Sequence, residues 1–211
     1  MLIDSIDLIE LFPFSSIFVI FVKKKTMTLR LKRFKITVEE YYKMAEVGIL
    51  KPTDRVELIE GEIITMSPVN DPHIGIVNIL NRLFAKKLID DYTISIQNPI
   101  RIDALSEPEP DIVIAKFDKK GYSKSKITPA EIFILVEVSD STLVKDRKVK
   151  LPLYAQAEIP EYWIIDVKKQ QIEQYTNPKS GKYTTKKIIK KTGKLTCKSV
   201  DFKLKVADLF I

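Results

Sequence analysis

The spacing of apolar residues changes several times along the chain, and each change marks an element. Thr37 followed by Glu40 suits a capping box, and Val38, Tyr41, Tyr42 and Ala45 recur at helical spacing, which predicts a short helix over 38–47 ending near Gly48. From Asp54 to Met66 the period shortens: Val56 and Leu58, then Ile63 and Ile64, predict two short strands meeting at a turn on Gly61. Asn70, Asp71 and Pro72 are helix-start residues, and Ile74, Val77, Leu80, Phe84 and Leu88 form the apolar stripe of the helix that follows.

Three strand-like runs come next, Thr93 to Ile102, Asp111 to Ala115 and Glu131 to Val138, with a polar loop from Asp118 to Thr128 before the last. The third run is apolar on both faces, as a strand in the middle of a sheet must be. Ser141 or Thr142 can open another helix to about Ala157, in which Pro152 lacks the N–H that would bond to residue 148 and marks a kink or break. Glu161 to Val167 is a further strand. The lysine-rich remainder, with a turn at Asn177 to Gly181, reads as antiparallel strands. Helices and strands in this order predict an α/β (α+β) chain: a mixed β-sheet flanked by helices, with a β-rich C-terminal part.

Composition narrows the picture. A chain of 211 residues, 45% hydrophobic and 30% charged, has room for one domain with a sizeable core. Cys197 is the single cysteine, so no disulfide forms within the chain, and no Cys/His cluster calls for zinc; both fit a reducing, cytoplasmic setting. The net charge of +7 is uneven: residues 168–205 carry twelve lysines against Glu173 and Asp201, a balance of +10, leaving the rest at −3. A basic face suits nucleic acid, although lysines also keep exposed strand edges soluble.

The apolar run from Leu11 to Val22, followed by Lys23, Lys24 and Lys25, is short for a bilayer span of ~20 residues and has the reverse charge order of a signal peptide. Met27 opens what reads as a self-sufficient start. Residues 1–26 are therefore an N-terminal extension, an over-extended gene start or a flexible appendage, with a weak membrane-associated segment as the competing reading; residues 27–211 form the domain.

Two carboxylates stand out by position. Asp111 follows Pro110 at the start of one expected strand, and Glu137 lies near the end of another after Ile134, Leu135 and Val136. An acid at the end of a buried apolar strand is costly unless paired or bound to a cation. Two carboxylates with a backbone carbonyl and waters would suit a hard cation. His73 is the only histidine, and no Gly-x-Ser-x-Gly elbow accompanies it, which argues against a histidine-based nucleophilic triad. At a helix start it is placed to touch a phosphate or to hydrogen-bond a loop.

The ordered series Pro110-Asp111, Glu137-Val138-Ser139, Asp146, Lys150, Tyr154 and Glu161-Tyr162-Trp163 resembles the Uma-type family of bacterial restriction-endonuclease-like proteins, within the PD-(D/E)XK superfamily. The likeness runs from about Ile36 to Asp208, including Glu57-Leu58-Ile59-Glu60-Gly61 and His73. It implies a restriction endonuclease-like fold and a metal-dependent endonuclease hydrolysing DNA phosphodiesters, with magnesium or manganese bound by Asp111, Glu137 and the Val138 carbonyl. The superfamily pattern would place lysine two residues after Glu137, where this chain has Ser139; the resemblance moves that role to Lys150, which would orient or deprotonate water. Glu57 is the matching additional acid, with Glu60 next.

An Asp146–Lys150 ion pair on a solvated helix face is the competing account of that lysine. Exposed strand carboxylates are the competing account of Glu57 and Glu60. Tyr154, Tyr162 and Trp163 fit core positions better than base stacking. No organic cofactor is implied. Cutting both strands of a duplex would suit a homodimer. The alternative function is a non-catalytic nucleic-acid-binding protein that keeps the nuclease fold.

Overall fold

The computed structural model describes residues 33–210; the extension assigned to residues 1–26 and the start at Met27 lie outside the described residues. Helix α1 spans Val38–Glu46, and the expected capping box is present, with Thr37 Oγ1 accepting from the Glu40 N–H and Glu40 accepting from the Thr37 N–H. Strands β1 (Val56–Ile59) and β2 (Glu62–Thr65) form an antiparallel hairpin. Its two-residue turn, Glu60-Gly61, has φ of 50° and 76°, the primed geometry that matches strand twist. A Cβ on Gly61 would stand 2.7 Å from the Lys35 Cβ, so both conformation and packing require glycine there.

Helix α2 is Asp71–Leu88, capped by Asn70 with Pro72 in its first turn. Its buried face is Ile76, Val77, Leu80, Phe84 and Leu88, while Ile74 is 42% exposed. The expected stripe therefore differs in its first turn, where Ile76 rather than Ile74 takes the inward position.

A six-stranded sheet follows the order β3 (Tyr92–Ile96), β4 (Ile112–Lys116), β5 (Ile132–Ser139), β6 (Glu161–Asp166), β7 (Gln171–Lys179) and β8 (Lys182–Lys190). Only β5 and β6 run parallel, at the centre; every other pairing is antiparallel. The first strand-like run stops at Ile96 rather than Ile102, because Gln97 takes φ of 50° and Pro99 follows. Its later apolar members are loop residues, and Ile100 is fully buried from that loop. Asp111 lies just before its strand, and Glu131 closes a 3-10 turn, Pro129–Glu131, before β5.

Alternation along β4 to β7 divides the core in two. Ile112, Ile114, Ile134, Val136, Val138, Trp163 and Ile165 face α2 and the C-terminal segment, where β9 (Lys194–Thr196) and β10 (Lys203–Lys205) form a small antiparallel pair. Val113, Leu135, Tyr162, Ile164 and Tyr175 face a second helical layer with Leu153 and Tyr154. Tyr154, Tyr162 and Trp163 are all fully buried. The second layer is helical from Leu143 but not uniform: α3 (Leu143–Lys145) gives way to a π-helical turn, Asp146–Lys150, before α4 (Leu151–Gln156). The Leu151 N–H bonds to the Asp146 carbonyl, five residues back, immediately before Pro152. The break expected at Pro152 is this widened turn, which absorbs the missing donor.

Two buried acids tie the layers to the sheet. Glu161 has zero exposure; one oxygen accepts from Trp163 Nε1 at 2.7 Å and Gln174 Nε2 at 2.6 Å, the other from the Lys198 and Ser199 N–H groups at 2.7 and 3.1 Å. Glu173 accepts from Arg147, from Tyr175 Oη at 2.5 Å and from Lys186 Nζ at 3.0 Å, so it joins the second helical layer to the edge hairpin. No helix among the described residues is long and apolar enough to cross a membrane.

Glu161→Ala removes the acceptor of four hydrogen bonds, two of them from buried side chains, and should cost about 3 kcal/mol in urea unfolding, whereas Glu161→Gln should cost less. Burial works against the charged Glu173, but its hydrogen bonds from Arg147, Tyr175 and Lys186 outweigh it and hold the carboxyl down to about 2. Its folded value lies below the ordinary 4.5. Its stabilisation is therefore full above pH 4.5 and is lost as pH falls toward 2. Glu173→Gln should flatten that acid limb in a pH series of thermal melts.

Candidate active site

β4 and β5 run antiparallel with Ile112 opposite Val136 and Val113 opposite Leu135, so the next step beyond the last pair sets Asp111 opposite Glu137. By the same alternation both acids lie on the face of Val113 and Leu135, under the second helical layer. The Ser139 carbonyl accepts from the Val167 N–H, on the β6 side. Val138 therefore turns its N–H and carbonyl the other way, toward β4. That N–H donates to Asp111 Oδ2 at 2.8 Å, while Asp111 Oδ1 lies 3.0 Å from His73 Nε2 and 3.3 Å from Gln97 Nε2. His73 Nδ1 is buried and has no hydrogen-bond partner among the described residues.

Lys150 points into this cluster. Its side chain is 3% exposed, and its ammonium stands 2.9 Å from Glu137 Oε1 and 3.2 Å from Glu57 Oε2. Glu57 is buried on β1 and is also held by Lys145 Nζ at 2.9 Å and by the Glu109 N–H at 3.1 Å. Asp146 is not the surface partner of Lys150: both are buried on the π-helical turn, and Asp146 Oδ2 accepts from Ser139 Oγ at 2.6 Å and Thr142 Oγ1 at 2.7 Å. The solvated-face account of the lysine therefore fails. Ser139 anchors the turn that carries Lys150, through its bond to Asp146.

The structure thus brings together Asp111, Glu137, Val138, Lys150, Glu57, His73 and Asp146. Glu60 is apart from them, exposed in the β1–β2 turn. Tyr154, a member of the motif series expected in the core, is buried there and also donates from its Oη to Glu137 Oε1 at 2.9 Å. The pattern gives no sign of Lys145. Lys145, five residues before Lys150, becomes its neighbour only through the π-helical turn, which no spacing rule for an α-helix anticipates.

The cleft is small, about 60 Å³, and is lined by residues including Arg55, Asn70, His73, Asp111, Glu137, Lys145 and Lys150. Its two central acids are in opposite electrostatic situations. Burial pushes the Glu137 carboxyl well above the usual range, and Asp146, Asp111 and Glu57 add to this against the pull of Lys150. Burial also works against the charged Asp111, but His73, the Val138 N–H and Gln97 outweigh it and hold that carboxyl below its usual value. Glu57 is held low, since Lys150 and Lys145 overcome its burial. Lys150 is pushed up, because Glu137 and Glu57 outweigh its desolvation. Negative charge is in excess around Glu137.

Among the described residues no three His, Cys, Asp or Glu side chains form a metal cage. The donors on hand are two carboxylates and the Val138 carbonyl, the oxygen set of a hard cation that keeps several of its waters.

The fold has a counterpart among solved structures: a protein from Anabaena variabilis ATCC 29413, described as "a putative nuclease belonging to DUF820", superposes with a TM-score of 0.61 at 17% identity, over 83% of this chain and 97% of that one. No curated protein matches. The family model described as "Putative restriction endonuclease" matches residues 38–207, which takes in every element from α1 to β10 and all the residues gathered in the cleft, and the chain belongs to that family, Uma2.

Proposed function

We propose that this protein is a metal-dependent endonuclease that hydrolyses DNA phosphodiester bonds at the Asp111–Glu137 cleft. The observation that carries this reading is the buried Lys150 ammonium, 2.9 Å from Glu137 Oε1 and 3.2 Å from Glu57 Oε2, with Asp111 opposite Glu137 at the start of the neighbouring strand. The family's description and the nuclease-like fold neighbour support it.

Asp111, Glu137 and the Val138 carbonyl are the residues that would hold magnesium or manganese. A divalent ion bound there supplies charge neutralisation at the phosphate and a lowered water pKa. His73, Gln97 and the Val138 N–H fix the Asp111 carboxylate in one orientation. Lys150, held by Glu57 and Glu137, presents an N–H donor to water or to a phosphate oxygen at the same spot, with Tyr154 restraining the Glu137 carboxyl from behind. Lys145 and Arg55 line the cleft and provide positive charge for the flanking phosphates. Lys182, Lys186, Lys187 and Lys190 place positive charge on β8, an edge strand of the sheet.

Asp111→Ala and Glu137→Ala should abolish magnesium-dependent nicking of plasmid DNA while circular dichroism stays native; cutting at the wild-type rate by either variant would exclude this site. Salt-sensitive DNA binding without cleavage by the wild-type protein on any tested substrate would instead assign a non-catalytic binding role.

Lys150→Met removes the shared partner of two buried carboxylates. It should destabilise the fold by ~3 kcal/mol and lower the single-turnover cleavage rate by ~10²-fold or more.

Because Glu137 must ionise to bind a cation and its folded value is raised, magnesium binding should release a proton and tighten as pH rises toward that value. Calorimetric titration of magnesium in two buffers of different ionisation enthalpy reads that proton directly.

A further inference from the structure

A second cavity, of about 280 Å³, adjoins the cleft across Glu57. Glu57 forms part of its wall, Lys145 and Lys150, which hold the Glu57 carboxylate, line the cleft, and Glu109 lines both spaces. Its size is near the lower end of small-molecule pockets, ~300 Å³, suited to a base rather than to a whole nucleotide. Tyr41, Leu50, Pro52 and Pro99 supply flat or apolar walls, and the charged residues of the lining are four acids, Asp54, Glu57, Glu107 and Glu109, against one base, Lys51.

These acids are not equally available. Glu107 is engaged by Tyr42, Arg101 and Lys126, and Asp54 accepts from the Lys51 N–H. Among the described residues the Glu109 carboxylate accepts no hydrogen bond, and partial burial raises it above its usual value against the pull of Arg55. An acidic, partly aromatic cavity repels phosphate. It accepts a flat ligand that brings N–H donors.

A carboxylate offers two acceptor oxygens side by side. Guanine alone among the DNA bases presents two adjacent N–H donors, N1–H and N2–H, on its pairing edge. Adenine and cytosine place a ring-nitrogen acceptor next to their amino group, and thymine places carbonyls on both sides of its N–H, so each would set an acceptor against Glu109.

We propose that this cavity receives an unpaired guanine next to the phosphate held in the cleft, with its N1–H and N2–H donated to Glu109 and its faces against the tyrosine and proline walls. The proposal rests on the nuclease reading and adds a substrate preference to it. The guanine edge is available only in a single strand or when the base is extruded from a duplex.

The test is fluorescence anisotropy of labelled oligothymidylates carrying one central guanine, hypoxanthine or adenine, with the full chain, in EDTA and low salt. Wild-type protein should bind the guanine strand about tenfold more tightly than the all-thymine strand, the increment of a bidentate contact to a charged acceptor. Hypoxanthine, which lacks the N2 amino group, should fall between them. Glu109→Gln should remove the preference. Ala45→Trp, which fills the cavity from an exposed position on α1, should also remove it without changing the thermal melt.

Equal affinity for all four strands, or a guanine preference that survives both variants, overturns the proposal. Equal affinity together with magnesium-dependent plasmid cleavage sinks the guanine pocket alone. Absence of both oligonucleotide binding and cleavage removes the nuclease reading and the pocket with it.

Discussion

A lysine ammonium excluded from water between two glutamates sets the terms for the rest of this molecule. Lys150 is 3% exposed and reaches both Glu57 and Glu137. Desolvating three such groups costs several kcal/mol per ion, and only close geometry with further hydrogen bonds recovers it. The fold supplies that geometry from three separate places: Glu57 from the β1–β2 hairpin, Glu137 from the central parallel pair, and Lys150 from the π-helical turn. Each depends on a local device. The hairpin needs Gly61 in a position where any Cβ would strike Lys35, and the turn needs Asp146, which Ser139 and Thr142 hold from below.

The same cluster explains why two acids one strand apart behave differently. Asp111 sits at the open end of β4, where His73, Gln97 and a backbone N–H all donate to it. Glu137 lies deeper, shares one lysine with Glu57, and faces the fields of Asp111 and Asp146. One carboxylate is thus kept charged by donors and the other is held in a surplus of negative charge.

Much of the fold was legible in the chain because its signals are local. The Thr37–Glu40 capping box, the Gly61 and Gly181 turns, the Asn70-Asp71-Pro72 helix start and the doubly apolar β5 all appear where the pattern puts them. The misreadings have local causes too. Ile100 and Ile102 extend an apolar run past Ile96, and only the left-handed Gln97 stops the strand. Ile74 fits the helical period of α2, yet it stays exposed and Ile76 is the buried residue of that turn. Glu60 and Glu57 are both acids of one hairpin, and burial, which differs between a turn and a strand, separates them.

By itself the sequence determined the order of elements, the central position of β5 and the places of Asp111 and Glu137 at strand ends, since periodicity, capping residues and a charge at the end of an apolar strand act over a few residues. The ordered motif series carried the candidate lysine as well, through resemblance rather than spacing. Only the tertiary structure decided which account of Lys150 holds. Four-residue spacing allowed an exposed pair with Asp146, whereas the widened turn rotates both side chains inward and gives the lysine to Glu57 and Glu137. It also decided that Lys145, Tyr154 and His73 belong to the same cluster. Those placements depend on strand register and on one extra residue in a helical turn, which are set by packing between distant segments and leave no periodic trace in the chain.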